Sequence, residues 1–104
     1  MDDILAIFVI VERGKADYVV ERAKKVGAQG ATILYGRGTG AKEAKKFLDF
    51  HIESSKEIII IITQKDVYRP IYDEIVKAGH LNKPGVGIIF TVPVTELTGL
   101  EFRK

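Results

Sequence analysis

Five consecutive isoleucines, Ile58–Ile62, fill the middle of the run Lys56–Thr63. Branching at Cβ makes isoleucine a poor helix former and a good strand former. A strand with one wet face alternates apolar and polar residues, and this one does not, so it reads as a strand covered on both faces. Ile4–Val11 has the same character. Two such strands in a chain of 104 residues, 46% of them hydrophobic, set the terms for everything between them.

The intervening segments supply helices and turns. Gly14 turns the chain, and Lys15–Val26 then places Ala16, Val19, Val20, Ala23 and Val26 at the spacing of an amphipathic helix, with Gly27 as its stop. Gly30 to Gly36 reads as a second strand. Thr39–Ser55 is polar and lysine-rich. Its middle, Ala41–Phe50, is compatible with one or two helical turns, and the pair Lys45-Lys46 reads as a solvated face. After the isoleucine strand, Asp66–Ala78 puts Val67, Ile71, Ile75 and Ala78 on one helix face. Thr63 or Asp66 is the expected cap, Pro70 favours the later start, and Gly79 is the expected end. Ile88–Val94 is the last clear strand, and Pro93 suits a sheet edge. The tail, Thr95 to Lys104, is ambiguous.

The order β-α-β-loop-β-α-β gives two βαβ halves with right-handed crossovers. The simplest closed arrangement is an α+β, ferredoxin-like βαββαβ sandwich spanning 1–104 as a single domain: a four-stranded antiparallel sheet with both helices on one face. The first and third strands are then central. Helices cover only one face of them, and the other exposes a row of Ile, Val and Leu too large for an ordinary soluble monomer. That face is expected to be buried against another copy of the chain.

Composition removes several classes of function. There are no cysteines, which excludes disulfides, thiol catalysis and zinc–thiolate sites. The start, Met1-Asp2-Asp3, is acidic where a secretory signal is basic, and no apolar run is long enough to span a bilayer, so a cytoplasmic protein without membrane insertion is expected. A formal net charge of +2 is too small to suggest general nucleic-acid binding. His51 and His80 lie far apart, and His51-Ile52-Glu53 offers only two ligands, so no metal site is expected. No serine, lysine or carboxylate pair has the arrangement of an activated nucleophile, and no catalytic residue is assigned. Tyr68 and Tyr72, at helical spacing, are expected to pack rather than stack on a base.

Two glycine clusters remain. One is Gly36-Arg37-Gly38-Thr39-Gly40, following Thr32, and the other is Gly85-Val86-Gly87, following Lys83-Pro84. Glycine lets backbone N–H groups approach an anion closely, and it equally makes turns, so each cluster alone leaves both readings open.

Taken in order, these motifs resemble the P-II family of nitrogen-regulatory signal proteins, in its P-II-like branch. The resemblance rests on Gly27-Ala28-Gln29-Gly30-Ala31-Thr32 leading to Gly36-Arg37-Gly38, on Lys83 followed by Gly85-Val86-Gly87-Ile88-Ile89-Phe90, and on the close Pro93–Gly99 with its Thr98-Gly99. It implies a ferredoxin-like homotrimer that binds an adenine nucleotide (AMP, ADP or ATP) as effector in the clefts between subunits. The positions it nominates are Thr32 for adenine or ribose, Gly36, Gly38, Gly85, Val86 and Gly87 for phosphate through the backbone, and Arg37 as a phosphate clamp. It further implies a regulator whose 39–55 loop, with Phe47, Leu48 and Phe50, engages a protein target such as a membrane transporter or a metabolic enzyme.

The sequence also departs from the family pattern. Where the family has Gly-Asp-Gly-Lys, this chain has Val86 and Ile88 at the aspartate and lysine positions. Thr95-Glu96-Leu97 stands where the family places arginines. The loop is shorter, and no tyrosine lies between Tyr35 and Tyr68. These losses favour a second reading, a trimeric interaction module that has lost nucleotide binding. A third, an acylphosphatase-like hydrolase on the same fold, needs a water-orienting asparagine, and Asn82 is the only one.

Overall fold

In the computed structural model, which describes residues 3–38 and 54–102, β1 (Ile4–Glu12) runs between β3 (Ser54–Gln64) and β4 (Gly87–Val94). β2 (Thr32–Gly38) lies outside β3, giving the order β2-β3-β1-β4 with all neighbours antiparallel. The two continuous apolar runs are therefore the central strands, and Pro93 is on an edge. Helices α1 (Ala16–Lys25) and α2 (Tyr68–Ala78) complete the ferredoxin-like α+β fold. No helix among the described residues is long and apolar enough to cross a membrane. The segment 39–53, with Phe47, Leu48 and Phe50 and the helical turns expected in Ala41–Phe50, lies outside the described residues.

The pleat sorts each central strand into two sets. Ile7, Val9 and Val11 of β1 and Ile59 and Ile61 of β3 are almost completely buried, in one cluster with Val19 and Ala23 of α1 and Ile71 and Ile75 of α2. Burying each of these valines and isoleucines contributes about 1.5–3 kcal/mol. Arg22 of α1 bridges to Glu74 of α2 at 2.9 Å across the outer side of this layer. The hydrogen bond that Arg22 donates to Glu74, and then the charge of Glu74, raise the Arg22 pKa above its usual value.

Helix ends show where local sequence was an incomplete guide. The residue before α1, Lys15, makes no side-chain cap. Instead Glu57, buried in β3, accepts hydrogen bonds from the backbone N–H of Gly14 (3.0 Å) and Ala16 (2.9 Å). Gly14 turns into the helix at φ +93°, a conformation glycine adopts without strain. The cap is a carboxylate from a distant strand, placed at the positive end of the helix dipole. At α2, neither expected cap operates. Asp66 lies in a 3₁₀ turn, Lys65–Val67, and buried Thr63 directs its hydroxyl to the Gln64 carbonyl at 3.4 Å. The helix begins at Tyr68, which suits Pro70 in its first turn. After α2 the left-handed residue is His80, at φ 54°, one position beyond Gly79. Gly79 is small for a different reason: a Cβ there would sit 3.2 Å from both the Ile75 carbonyl and Leu81.

The other face of the sheet carries no helix. Ala6, Phe8 and Ile10, Ile58, Ile60 and Ile62, Leu34, and Ile88, Phe90 and Val92 line it. Ile88 is 56% exposed, Leu34 48%, Phe90 42% and Val92 40%, so the apolar surface runs to both edges. Phe8 and Phe90 stack across it with centroids 5.2 Å apart. A surface of this extent is stable in water when another apolar surface covers it.

Two outcomes follow. Replacing Glu57 by Ala orphans two N–H groups at the start of α1 and is expected to cost about 1–3 kcal/mol in urea denaturation. Replacing Ile60 by Asp puts a charge in the middle of the open face while sparing the helix-covered core. Sedimentation equilibrium should then show an assembled wild type and a monomeric variant, with helical circular dichroism retained.

Candidate ligand strand

The first glycine cluster is strand rather than loop. β2 continues through Gly36, Arg37 and Gly38 because β3 starts early enough to pair with them, Arg37 opposite Ser55 and Gly38 opposite Ser54. Alternation then divides the candidates. Thr32, Leu34, Gly36 and Gly38 belong to the open face, while Ile33, Tyr35 and Arg37 belong to the helix side. Arg37 is exposed there, turned away from the two glycines that flank it.

The glycines make room on the open face. A Cβ on Gly36 would lie 3.0 Å from Ile58 Cδ1, and one on Gly38 would lie 3.7 Å from Lys56 Cγ and 3.8 Å from its Cε. The Lys56 stem thus lies beside a strip of bare backbone. Lys56 stands in register between Gly36 on β2 and Glu12 on β1, and its ammonium hydrogen-bonds to the Glu12 carboxylate. Among the described residues Lys56 is the one cation on the open face of β3, a position that counting back in twos from Ile58 would have revealed.

Thr32 lies at the other end of the same strand face, about 13 Å from Gly36 at ordinary strand rise. It borders a concavity of about 500 Å³ whose walls include Gln29, Ile60, Ile62, Leu100 and Phe102. The tail that sequence left unassigned supplies one side of this hollow.

The second cluster sits at the opposite edge of the sheet. Gly85 takes φ +81° in the turn before β4, Val86 follows, and Gly87 opens the strand. A Cβ on Gly87 would meet the Ile10 carbonyl at 2.6 Å and Leu81 Cδ2 at 2.8 Å, so packing alone demands glycine there. Three inter-strand steps, about 14 Å, separate β4 from β2. One chain therefore brings Thr32, Gly36 and Gly38 together and leaves Gly85, Val86 and Gly87 apart from them.

A family model described as nitrogen regulatory protein P-II matches residues 4–101. The chain belongs to the P-II family. Among solved structures it is similar to Arabidopsis thaliana PII bound to citrate, with a TM-score of 0.69 and 22% identity over 90% of this chain and 77% of that one. A search of curated proteins finds no match. P-II proteins are signalling regulators rather than enzymes, and they form trimers that interact with target proteins.

Ile88, at the position where the family resemblance places a lysine, extends the apolar surface of the open face. His80 and Asn82 line a separate concavity of about 600 Å³ beside α2, with Val76, Lys77 and Lys83. No group of three or more His, Asp or Glu residues suited to a metal ion occurs among the described residues. Tyr68 and Tyr72 pack edge to face at 6.3 Å, with the Arg69 guanidinium 5.0 and 4.7 Å from their rings.

Stability measurements separate the two glycine clusters. Gly87→Ala must push backbone off backbone and is expected to lose about 2 kcal/mol or more by urea denaturation. Gly38→Ala meets only ordinary contacts and is expected to stay within about 0.5 kcal/mol of wild type.

Proposed function

We propose that this P-II protein senses an adenine nucleotide on the open face of β2 and passes the occupancy to a protein target through the 39–55 loop. The observation that carries the reading is the layout of one strand face: a hydroxyl beside an apolar hollow at Thr32, and bare glycine backbone beside a cation at Gly36, Gly38 and Lys56. A base fits the hollow, where Thr32 Oγ1 offers a hydrogen bond and Ile60, Ile62 and Phe102 offer apolar surface. Phosphates fit the other end, where a lysine is a point-charge donor and no Cβ blocks approach.

Gly85, Val86 and Gly87 join this site only from a neighbouring copy, because in one chain they occupy the far edge of the sheet. The apolar open face gives such a neighbour a reason to be there, and a homotrimer with ligand clefts between subunits satisfies both requirements. Arg37, on the opposite face of this edge strand, contributes less to phosphate than Lys56 does. The loop with Phe47, Leu48 and Phe50 leaves from the phosphate end of β2, so a ligand there favours one loop state over another by differential binding. A transporter or metabolic enzyme is the proposed target, and the cytoplasm the proposed location.

Isothermal titration calorimetry with AMP, ADP and ATP tests the reading. Binding is expected, with a shallow rise in affinity from AMP to ATP, because Ile88 supplies no lysine and Thr95–Leu97 no arginines. Lys56→Met is expected to weaken ADP by about tenfold, the value of one charge-assisted bond. Arg37→Ala is expected to weaken it by a smaller factor. Steep discrimination in favour of ATP would contradict the proposed arrangement.

A specific observation favours a second reading. The exposed Ile88 side chain makes the family's lysine position apolar, as suits a trimeric interaction module without nucleotide. Thermal shifts that stay flat across all three nucleotides would select it.

A further inference from the structure

Glu12 lies where a charge opposing the ligand is least expected. It closes the row Gly36–Lys56–Glu12 across the open face, and its carboxylate bonds to the Lys56 ammonium. The Lys56 side chain is only 16% exposed and the Glu12 side chain 38%, so the lysine is the more enclosed partner and the carboxylate the more accessible one. An ion pair this enclosed is screened less by salt than a surface pair.

We infer that Glu12 is an internal competitor for the anion site at Lys56. The inference rests on the reading that Lys56 receives ligand phosphate. A phosphate oxygen reaching the ammonium beside the Gly36–Gly38 strip comes within range of the Glu12 carboxylate. It either displaces that carboxylate from Lys56 or shares the ammonium with a like charge. Both cost binding free energy, and both costs scale with charge at the phosphate end, not with the base. A singly charged ligand gains little over the carboxylate already in place. A ligand with several negative oxygens replaces one bond by more than one. Glu12 thereby sets a charge threshold for occupancy. Because the pair joins the ends of β1 and β3, displacement also releases a cross-strand tie beside Ser54, where β3 receives the 39–53 segment.

The test compares wild type, Glu12→Gln, Lys56→Met and the double variant by calorimetry, with ADP, inorganic tripolyphosphate and adenosine as probes. Circular dichroism and sedimentation confirm that each variant folds and assembles alike. Glu12→Gln keeps the side chain's size and its capacity to accept a hydrogen bond while removing the charge. It is expected to tighten ADP and tripolyphosphate by about tenfold or more and to leave adenosine unchanged. In the Lys56→Met background the same substitution is expected to have a smaller effect. A merely structural Glu12 would move adenosine together with ADP, and that result overturns the inference. Unchanged or weaker ADP binding in Glu12→Gln, with Lys56→Met still weakening it, overturns the inference and leaves the site reading intact. ADP affinity unaffected by Lys56→Met, or no binding of any probe to wild type or Glu12→Gln, overturns both.

Discussion

Everything in this molecule hangs on the antiparallel register of β1 against β3, from Ile4 opposite Gln64 to Glu12 opposite Lys56. The register assigns Ile7, Val9, Val11, Ile59 and Ile61 to the helices and Phe8, Ile10, Ile58, Ile60 and Ile62 to the open face. A slip by one residue would exchange the two sets. Between isoleucines such a slip is chemically nearly silent, since both sets are apolar. The polar ends break the degeneracy. Glu57 fits only the helix side, where it caps α1, and Lys56 fits only the open side, where it meets Glu12. Two adjacent charged residues at the mouth of an isoleucine strand thus fix the register that the isoleucines leave open.

This explains what was legible from sequence and what was not. The central position of both apolar runs, the order of elements, the edge position of Pro93 and the uncovered apolar face all follow from one-dimensional pattern, because burial on two faces erases alternation. The caps do not follow. Glu57 reaches α1 from 41 residues away, a distance no local motif spans. Nor does the extension of β2 through Gly38, because glycines inside a strand look like a loop until the partner strand shows that it pairs with them. Lys56 went unassigned because it was read as the lip of an apolar run rather than as a position of definite parity.

The two glycine clusters, alike on paper, differ in cause. Gly87 is required by a carbonyl and a leucine crowding it, and Gly85 by the turn into β4. Those two need no ligand to account for them. Among the described residues Gly38 has no such reason, since a methyl group there would meet only the Lys56 stem at ordinary contact distance. A glycine inside a strand without a steric reason costs β propensity and backbone entropy for nothing in the fold. Packing and turn geometry among the described residues thus account for Gly36, Gly85 and Gly87 but not for Gly38.

On the proposed reading, charge at the site is relocated rather than simply lost. Ile88, where the family resemblance places a lysine, serves the apolar face, while Lys56 carries a cation on the same open face from a central strand. A cation on β4 would sit at an edge and answer to the neighbouring subunit. One on β3 lies inside the sheet, with Glu12 as its partner. In the proposed site the electrostatics would then be decided within a single chain even with a cleft built by two, and the apolar residue at position 88 would be free to strengthen assembly. On the proposed arrangement, affinity for the anion and stability of the oligomer, which a lysine at that position would couple, are separated onto different strands.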